Sequence, residues 1–135
     1  MESKTRSELV DGFLAALEGF EPERVGEFLT DDARWWWPQS SVDHGFIPTR
    51  CAEGRAAVLT GVAQAPNRSY QNNQLTLRRS INDGDMSAVF FVGEGLTKTG
   101  NEFVNEYMIL LRFADQKICE GWFFVDTDYA YSRIK

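Results

Sequence analysis

The chain is poor in cysteine and histidine and has no long apolar run, and each shortage excludes a class of protein. Its 135 residues include only Cys51, Cys119 and His44 of these two types. Their spacing fits neither a metal site nor a disulfide framework, so we expect reduced thiols, no metal and a cytoplasmic protein. No stretch approaches the length of a membrane span, and residues 1–5 lack the apolar core of a signal peptide.

Basic residues are also scarce relative to acidic ones. The chain has 14 Lys and Arg against 20 Asp and Glu, a formal charge of -6. A surface that binds phosphates needs clustered Lys and Arg, so nucleic acid is excluded as a partner. No glycine-rich phosphate loop is present, and we therefore expect no cofactor. The length and apolar content fit one soluble domain over residues 1–135 with a single core.

Helices are predicted in the first part of the chain. Thr5 and Glu8 form a capping box, and apolar residues follow at helical spacing as far as Leu17. Gly19 should end this helix. Pro22 suits the first position of a short second helix, which the aspartates at 31–32 should break.

A strand, a loop and a third helix should follow. The segment 33–37 predicts a strand with alternate tryptophans on one face. The segment 38–50 predicts a loop of a length that is typical of lids and binding loops. The segment 52–64 predicts a helix that ends before Pro66.

The second half of the chain predicts an antiparallel meander of four long strands between Ser69 and Asp126. Turn signals lie at 82–85, 98–101 and 114–117. Together with the preceding helices, the meander predicts an α+β fold. Three N-terminal helices should pack on a strongly curved, mainly antiparallel sheet and enclose a pocket.

Counting outward from these turns predicts which side chains face the pocket. One face then carries an apolar group and, at one end, a polar group. The apolar group includes Phe90, Val92 and Ile109, and the polar group comprises Asn73, Glu94, Asn105 and Tyr107. The last strand has two possible parities, depending on a bulge near its turn. Either Phe123 and Val125, with Cys119, point inward, or Trp122 and Phe124, with Glu120, do.

Both faces of this meander are apolar in the middle. A sheet with one wet face should alternate apolar and polar residues, and the helices can cover only one face. We therefore expect a second copy of the chain to cover the outer face, giving a homodimer. A register slip of one residue would exchange the two faces but leave both apolar.

The order of helices, strand, loop, helix and meander resembles the nuclear transport factor 2-like superfamily, especially its SnoaL-like and ketosteroid-isomerase-related members. The local resemblance covers about the last quarter of the chain. It lies in Asn105-Glu106-Tyr107, Arg112-Phe113, Asp115-Gln116-Lys117-Ile118, Trp122 and Asp126-Thr127. The resemblance implies a cone-like fold, a deep pocket and dimers across the sheet. The group contains isomerases, epoxide hydrolases, polyketide cyclases and dehydratases as well as subunits without chemistry.

At the positions where these relatives have catalytic acids, this chain has other residue types. The resemblance implies that the isomerase base should fall at Trp37 and its second aspartate near Ile109. The acid that cyclases and epoxide hydrolases use in the last strand should fall at Phe123. Each departure argues against the corresponding known mechanism, although another arrangement can occupy the same pocket.

The residues themselves suggest a different polar set. Glu94 could act as a general acid or base, because burial among aromatic rings would raise its pKa. Alternatively, it is a glutamate satisfied by Asn73 and Asn105. Tyr107 and Asn105 could hold a carbonyl or enolate oxygen, or could simply line the pocket.

Two further candidates lie nearer the N-terminus. Asp43 and His44, in the predicted loop, could supply a base because imidazole titrates near neutral pH; a lone loop histidine can equally be exposed. Trp35 and Trp37 could form aromatic walls for a flat ligand or simply pack in the core.

These features predict a protein that binds a small hydrophobic molecule. The reaction would be a cofactor-free isomerisation, cyclisation or dehydration of a polyketide-, steroid- or terpenoid-like substrate. A non-catalytic binding or accessory subunit, and a structural subunit with a partner protein, are the alternatives.

Overall fold

The computed structural model describes residues 3–135. The helices are α1 (Arg6–Gly19), α2 (Pro22–Gly26), α3 (Gln39–Asp43), α4 (Arg55–Leu59), α5 (Ala65–Ser69) and α6 (Thr127–Ile134). The strands are β1 (Leu29–Trp36), β2 (Cys51–Glu53), β3 (Tyr70–Asp83), β4 (Met86–Thr97), β5 (Glu102–Ala114) and β6 (Lys117–Val125). A π-helical turn at Thr60–Gln64 joins α4 to α5. Over residues 3–135, no helix combines the length and apolar content needed to span a membrane.

The strands form one six-stranded sheet in the order β2-β1-β6-β5-β4-β3. Neighbouring strands are antiparallel except β1 and β6, which run parallel. The apolar stripe of α1 and the helical segment after β2 pack against the inner face of this sheet. The predicted α+β fold, with helices on a curved and mainly antiparallel sheet, is confirmed.

Helix α1 begins at the predicted capping box. The Thr5 hydroxyl oxygen accepts a hydrogen bond from the Glu8 N–H at 3.1 Å, and the Glu8 carboxylate accepts one from the Thr5 N–H at 3.0 Å. The helix ends at Gly19, as predicted, and Phe20 follows in the left-handed region with φ 55°. The apolar stripe of α1 is buried and forms one wall of the core.

The segment that follows differs from the prediction in its strand boundary. Helix α2 begins at Pro22, as predicted, but it ends at Gly26, and β1 begins at Leu29. Asp31 and Asp32 therefore lie within a strand and do not break a helix. A register shift of β1 against β6 between Leu29 and Arg34 leaves both aspartates exposed.

The predicted loop and third helix are more structured than expected. The loop 38–50 contains the short helix α3, and residues 51–53 form β2 against β1. The helical segment starts at Arg55 and continues past Pro66 to Ser69, so the prediction that Pro66 ends it is wrong. Pro66 lies in the first turn of α5, where its missing N–H costs little.

The four strands of the meander are confirmed, but the predicted register of β4 is wrong. Leu96 pairs with Glu102, so the five residues 97–101 form the loop that joins the paired parts of β4 and β5. Thr97 still pairs with Tyr70 of β3, but on the β5 side it belongs to this loop, because its N–H donates to the Asn101 carbonyl at 2.9 Å. This displaces the register by one residue and exchanges the two faces of β4.

The exchange of faces removes three residues from the predicted site. Phe90, Val92 and Glu94 lie on the outer face, and Val89, Phe91 and Gly93 lie on the inner face. Val89 and Phe91 are 1% and 3% exposed, whereas Glu94 is exposed.

The parity of the last strand is now decided. A register shift between Arg112 and Phe113 places a bulge at Cys119 of β6. Phe123 therefore faces the cavity side, and Phe124 is exposed on the outer face. Helix α6 was not predicted. Its N-cap is Asp126, whose carboxylate accepts a hydrogen bond from the Tyr129 N–H at 3.1 Å.

Candidate functional site

An apolar cavity of about 100 Å³ lies between the inner face of the sheet and the helices. Its walls come from α1, β1, the π-helical turn, strands β3 to β6 and α6. In the part of the chain that the structure describes, the lining contains no Asp, Glu, His, Lys or Arg. Its polar groups are three tyrosine hydroxyls, one asparagine amide and two indole N–H groups, so the cavity is an aromatic and uncharged space.

Two tryptophans form one wall of this cavity. Trp35 and Trp37 point inward, as the alternation in β1 predicted, and are 1% and 4% exposed. Their ring centroids lie 6.3 Å apart. Glycines make room for both rings: a Cβ at Gly121 would collide with Trp35, and one at Gly61 would collide with Trp37.

Tyr107 occupies the middle of the opposite part of the wall. Its ring stacks on Phe91, with centroids 5.1 Å apart, and lies 5.7 Å from the ring of Phe123. Gly93 on the neighbouring strand leaves room for this ring, because a Cβ there would lie 2.9 Å from Tyr107 Cε2. Burial raises the pKa of Tyr107 far above its ordinary value, and the nearby Tyr70 raises it further.

Tyr70 lies beside Tyr107 at the start of β3. Its ring packs 4.8 Å from Phe103 and 6.2 Å from Phe20. Burial raises the pKa of Tyr70 to about 12, and contact with the Tyr107 hydroxyl opposes part of that rise. Both phenols remain protonated near neutral pH and can donate hydrogen bonds.

A third tyrosine comes from the C-terminal helix. The Tyr131 hydroxyl donates to Ser41 Oγ at 2.9 Å, and both residues are buried. The rings of His44 and Phe46 lie 4.8 and 5.2 Å from the Tyr131 ring. Burial raises the pKa of Tyr131. Helix α6 and the segment after α3 therefore close the cavity together.

Part of the predicted residue set lies on the cavity wall. These residues are Trp35, Trp37, Asn73, Tyr107, Ile109 and Phe123. Asn105 is buried on the same strand but does not line the cavity. Its amide donates to the Asp126 carbonyl at 3.4 Å and its carbonyl accepts from the Glu106 N–H at 3.0 Å, so its hydrogen bonds are used within the protein.

The predicted inward positions of Glu94, Phe90 and Val92 are wrong. The five-residue loop before β5 turns all three to the outer face. Glu94 is exposed, so its carboxyl group is not buried among aromatic rings as the predicted acid-base role requires. A carboxylate on the far side of the sheet cannot reach a ligand in the cavity.

Asp43 and His44 lie near the cavity but outside its lining. Asp43 is exposed and accepts a hydrogen bond from Gln39 Nε2 at 3.0 Å. His44 packs on the Tyr131 ring, and its Nε2 lies 3.9 Å from Asp128 Oδ1. His44 therefore reaches the cavity only indirectly, through its contact with Tyr131, which lines the cavity.

Several lining residues were missed by the sequence analysis. Tyr70 lines the cavity at the start of β3, where the register shifts between Tyr70 and Asn72. Strict alternation along the strand does not predict that shift. Phe91 was assigned to the wrong face of β4. Tyr131 lies in a helix whose available signal was Asp126, a good N-cap residue directly before Thr127.

The chain is similar to known proteins in both sequence and structure. A model of the SnoaL-like domain matches residues 10–121. No protein of curated function matches the chain in sequence.

Three solved structures illustrate the structural similarity. A nuclear transport factor 2-like protein of unknown function from Burkholderia pseudomallei is 16% identical, with a TM-score of 0.84 and 96% of each chain covered. TerC, co-crystallised with polyporic acid, is 19% identical with a TM-score of 0.80, covering 95% of this chain and 96% of that one. A protein with a ketosteroid isomerase-like fold from Catenulispora acidiphila, in complex with trimethylamine, is 19% identical. Its TM-score is 0.76, with 96% of this chain and 93% of that chain covered.

Proposed function

The chain belongs to the family of SnoaL-like domains, and we propose that it binds a small, mostly apolar, ring-containing molecule in the inner cavity. The observation that carries this proposal is the pair of protonated hydroxyls of Tyr70 and Tyr107 in a mostly apolar and uncharged lining that is rich in aromatic rings. Aromatic walls suit a flat ring, and a few convergent polar groups orient it. The complexes of similar structures with polyporic acid and trimethylamine support small-molecule binding.

The reaction that fits this cavity is a cofactor-free isomerisation or cyclisation of a carbonyl compound. A phenol that donates to a carbonyl oxygen stabilises the negative charge that develops there when the α-carbon loses its proton to a water molecule and the enolate forms. Tyr107 and Tyr70 have raised pKa values and therefore stay neutral donors. The substrate class is a polyketide-, steroid- or terpenoid-like molecule. These reactions, and dehydration equally, need an acceptor for the proton that leaves carbon, and among the described residues the lining offers no carboxylate or imidazole for it.

That missing base favours a second candidate function, a binding or accessory protein without catalysis. Glu94, the predicted base, lies on the outer face, and Asp43 and His44 lie outside the lining. A ligand would then be held by the same aromatic walls and phenols and released unchanged.

Ligand binding can be measured through the tryptophans of the cavity. We expect β-tetralone and naphthol to quench the fluorescence of Trp35 and Trp37. Tyr107→Phe should weaken binding of the ketone about fivefold, the equivalent of one hydrogen bond of about 1 kcal/mol. Tyr129→Phe is the matched control, because the Tyr129 hydroxyl accepts from the Val104 N–H and is not part of the lining. If neither compound quenches the tryptophan fluorescence, the proposal is contradicted.

A second measurement separates the two functions. β-Tetralone exchanges its α-hydrogens with deuterated water when it enolises, and proton NMR follows the exchange. An enzyme that stabilises the enolate should accelerate this exchange, and Tyr107→Phe should remove the acceleration. Exchange at the buffer rate, together with clear binding, would favour the non-catalytic function.

We also propose that the outer face of the sheet forms a homodimer. Val104, Met108 and Phe124 are 58%, 40% and 52% exposed on this face, which is more apolar surface than single scattered residues account for. Arg112, on the same face of β5, is already paired with Glu120 at 3.3 Å, so the argument rests on the apolar patch. A two-fold contact would bury this patch of one copy against the same patch of the other.

A further inference from the structure

We propose that the ligand site extends past Trp37 into a second pocket, which takes a flexible chain attached to the ring in the inner cavity. This inference rests on the proposed function. The second pocket has a volume of about 250 Å³ and lies between the segment before β2, β2 itself and α4. It shares Trp37 and Gly61 with the inner cavity, so the Trp37 indole is the wall between the two spaces.

The volumes point to a divided site. The inner cavity of about 100 Å³ is smaller than ligand pockets usually are, roughly 300 to 1,000 Å³, and suits a compact ring system without long substituents. With the 250 Å³ of the second pocket, the space reaches the lower end of that range. A molecule of polyketide or terpenoid size therefore needs both parts.

The sheet fixes the direction in which the chain would leave the ring. Trp37 directly follows β1, and Tyr107 lies on β5, with only β6 between these strands. Two strand spacings amount to roughly 10 Å. A ring whose oxygen contacts Tyr107 would thus direct its opposite edge toward Trp37, and a substituent there would meet the indole.

Of the three consecutive tryptophans, Trp37 is the one whose indole would open a passage between the two spaces if it rotated. Trp35 is held between Phe13, 6.0 Å away, and Gly121, and the Trp36 indole donates to Glu120 at 2.9 Å. The Trp37 ring packs as closely against Gly61 in the π-helical turn, but of these three tryptophans it is the one that lines the second pocket. Such turns occur frequently at functional sites, and rotation of this indole would join the two spaces.

The lining of the second pocket indicates the kind of chain. Ile47 and Ala52 are buried in its wall, whereas Thr49, Thr60 and Glu53 are exposed. An aliphatic chain with a neutral polar end fits this order of apolar and polar groups. The carboxylate of Glu53 disfavours a chain that ends in an acid.

Titration calorimetry with phenol, para-propylphenol and para-hexylphenol tests the proposal. We expect phenol to bind and the affinity to rise by about fourfold for each added methylene that enters the pocket. Ala57→Phe should fill the second pocket, because Ala57 lines it from the exposed side of α4. This variant should keep the affinity for phenol and lose the gain with chain length. Ala56→Phe, an exposed neighbour that does not line the pocket, should keep that gain.

The possible outcomes separate this inference from the function on which it rests. If phenol binds but affinity does not rise with chain length, the second pocket is not part of the site, and the inner cavity keeps its function. If Ala57→Phe keeps the gain, the chain lies elsewhere, and the inference is likewise overturned. If neither phenol nor its homologues bind at all, the proposed function fails as well.

Discussion

Gly93 shows how one missing side chain can position a functional group. It faces the cavity from β4, opposite Asn105 of β5, and the Tyr107 ring lies over it. Leu75 also approaches, so that a Cβ at this position would lie 3.1 Å from Leu75 Cδ2. The space above Gly93 therefore determines where the Tyr107 hydroxyl lies.

Gly93→Ala should displace Tyr107 and weaken the binding of β-tetralone at least as much as Tyr107→Phe does. Overpacking of this kind also lowers the free energy of unfolding by about 1 to 3 kcal/mol. Calorimetry and urea unfolding would measure the two effects. Gly19→Ala is a suitable control, since a Cβ at this position would meet none of the described residues within 4 Å. Unchanged ketone binding in Gly93→Ala would show that the ring position does not matter.

Helix α6 is held in place by contacts with the rest of the chain. It has eight residues, too few for a stable isolated helix. At its end, the Asn101 amide donates to the Arg133 carbonyl at 2.7 Å from the loop between β4 and β5. At its middle, Tyr131 is bonded to Ser41. These contacts hold one wall of the cavity in place.

Tyr131→Phe should loosen α6 without affecting the sheet. The change leaves Ser41 Oγ without the donor that it has now, at a cost of about 1 kcal/mol. Hydrogen exchange should become faster in α6 and stay unchanged in β5. Ser132→Ala serves as a comparison, because the Ser132 hydroxyl donates to the Tyr129 carbonyl within the helix itself. Equal exchange rates in α6 of Tyr131→Phe and the unaltered protein would contradict this account.

The elements that could be predicted from the sequence have local signals. The capping box of Thr5 and Glu8 and the first-turn proline at Pro22 depend only on neighbouring residues, and the turns of the meander depend on a few residues each. Strand β2 has three residues, too few for any pattern, and its pairing with β1 is a tertiary contact. The extension of the third helix past Pro66 depends on where that proline falls in the turn.

The cavity could be predicted only in part, for a related reason. Trp35 and Trp37 were identified because alternation within one strand does not depend on any loop. Glu94 was assigned to the wrong face because its orientation depends on how many residues the next loop contains. Thr97 joins that loop through a hydrogen bond to Asn101, which no propensity of the individual residues reveals.

At the scale of the whole molecule, the outer face predicts that the protein exists as a pair of chains. Met108→Glu should place a charge in the centre of the apolar face and prevent its burial. We expect the unaltered protein to sediment as a dimer and Met108→Glu as a monomer with the same circular dichroism. Gln64→Glu, exposed on the helical side, controls for added charge. A monomer at all concentrations of the unaltered protein would contradict the proposed dimer.

The five-residue loop between β4 and β5 has a consequence for how this chain can change over evolution. Gain or loss of a single residue there, unless a bulge absorbed it, would turn Phe91 to the outside and Glu94 to the cavity side. Gain or loss of two residues would preserve both faces. The length of this loop, counted as odd or even, thus decides whether Phe91 or Glu94 is turned toward the cavity. A single-codon insertion or deletion there could therefore remove an aromatic ring from the cavity wall and bring in a carboxylate without any substitution in β4.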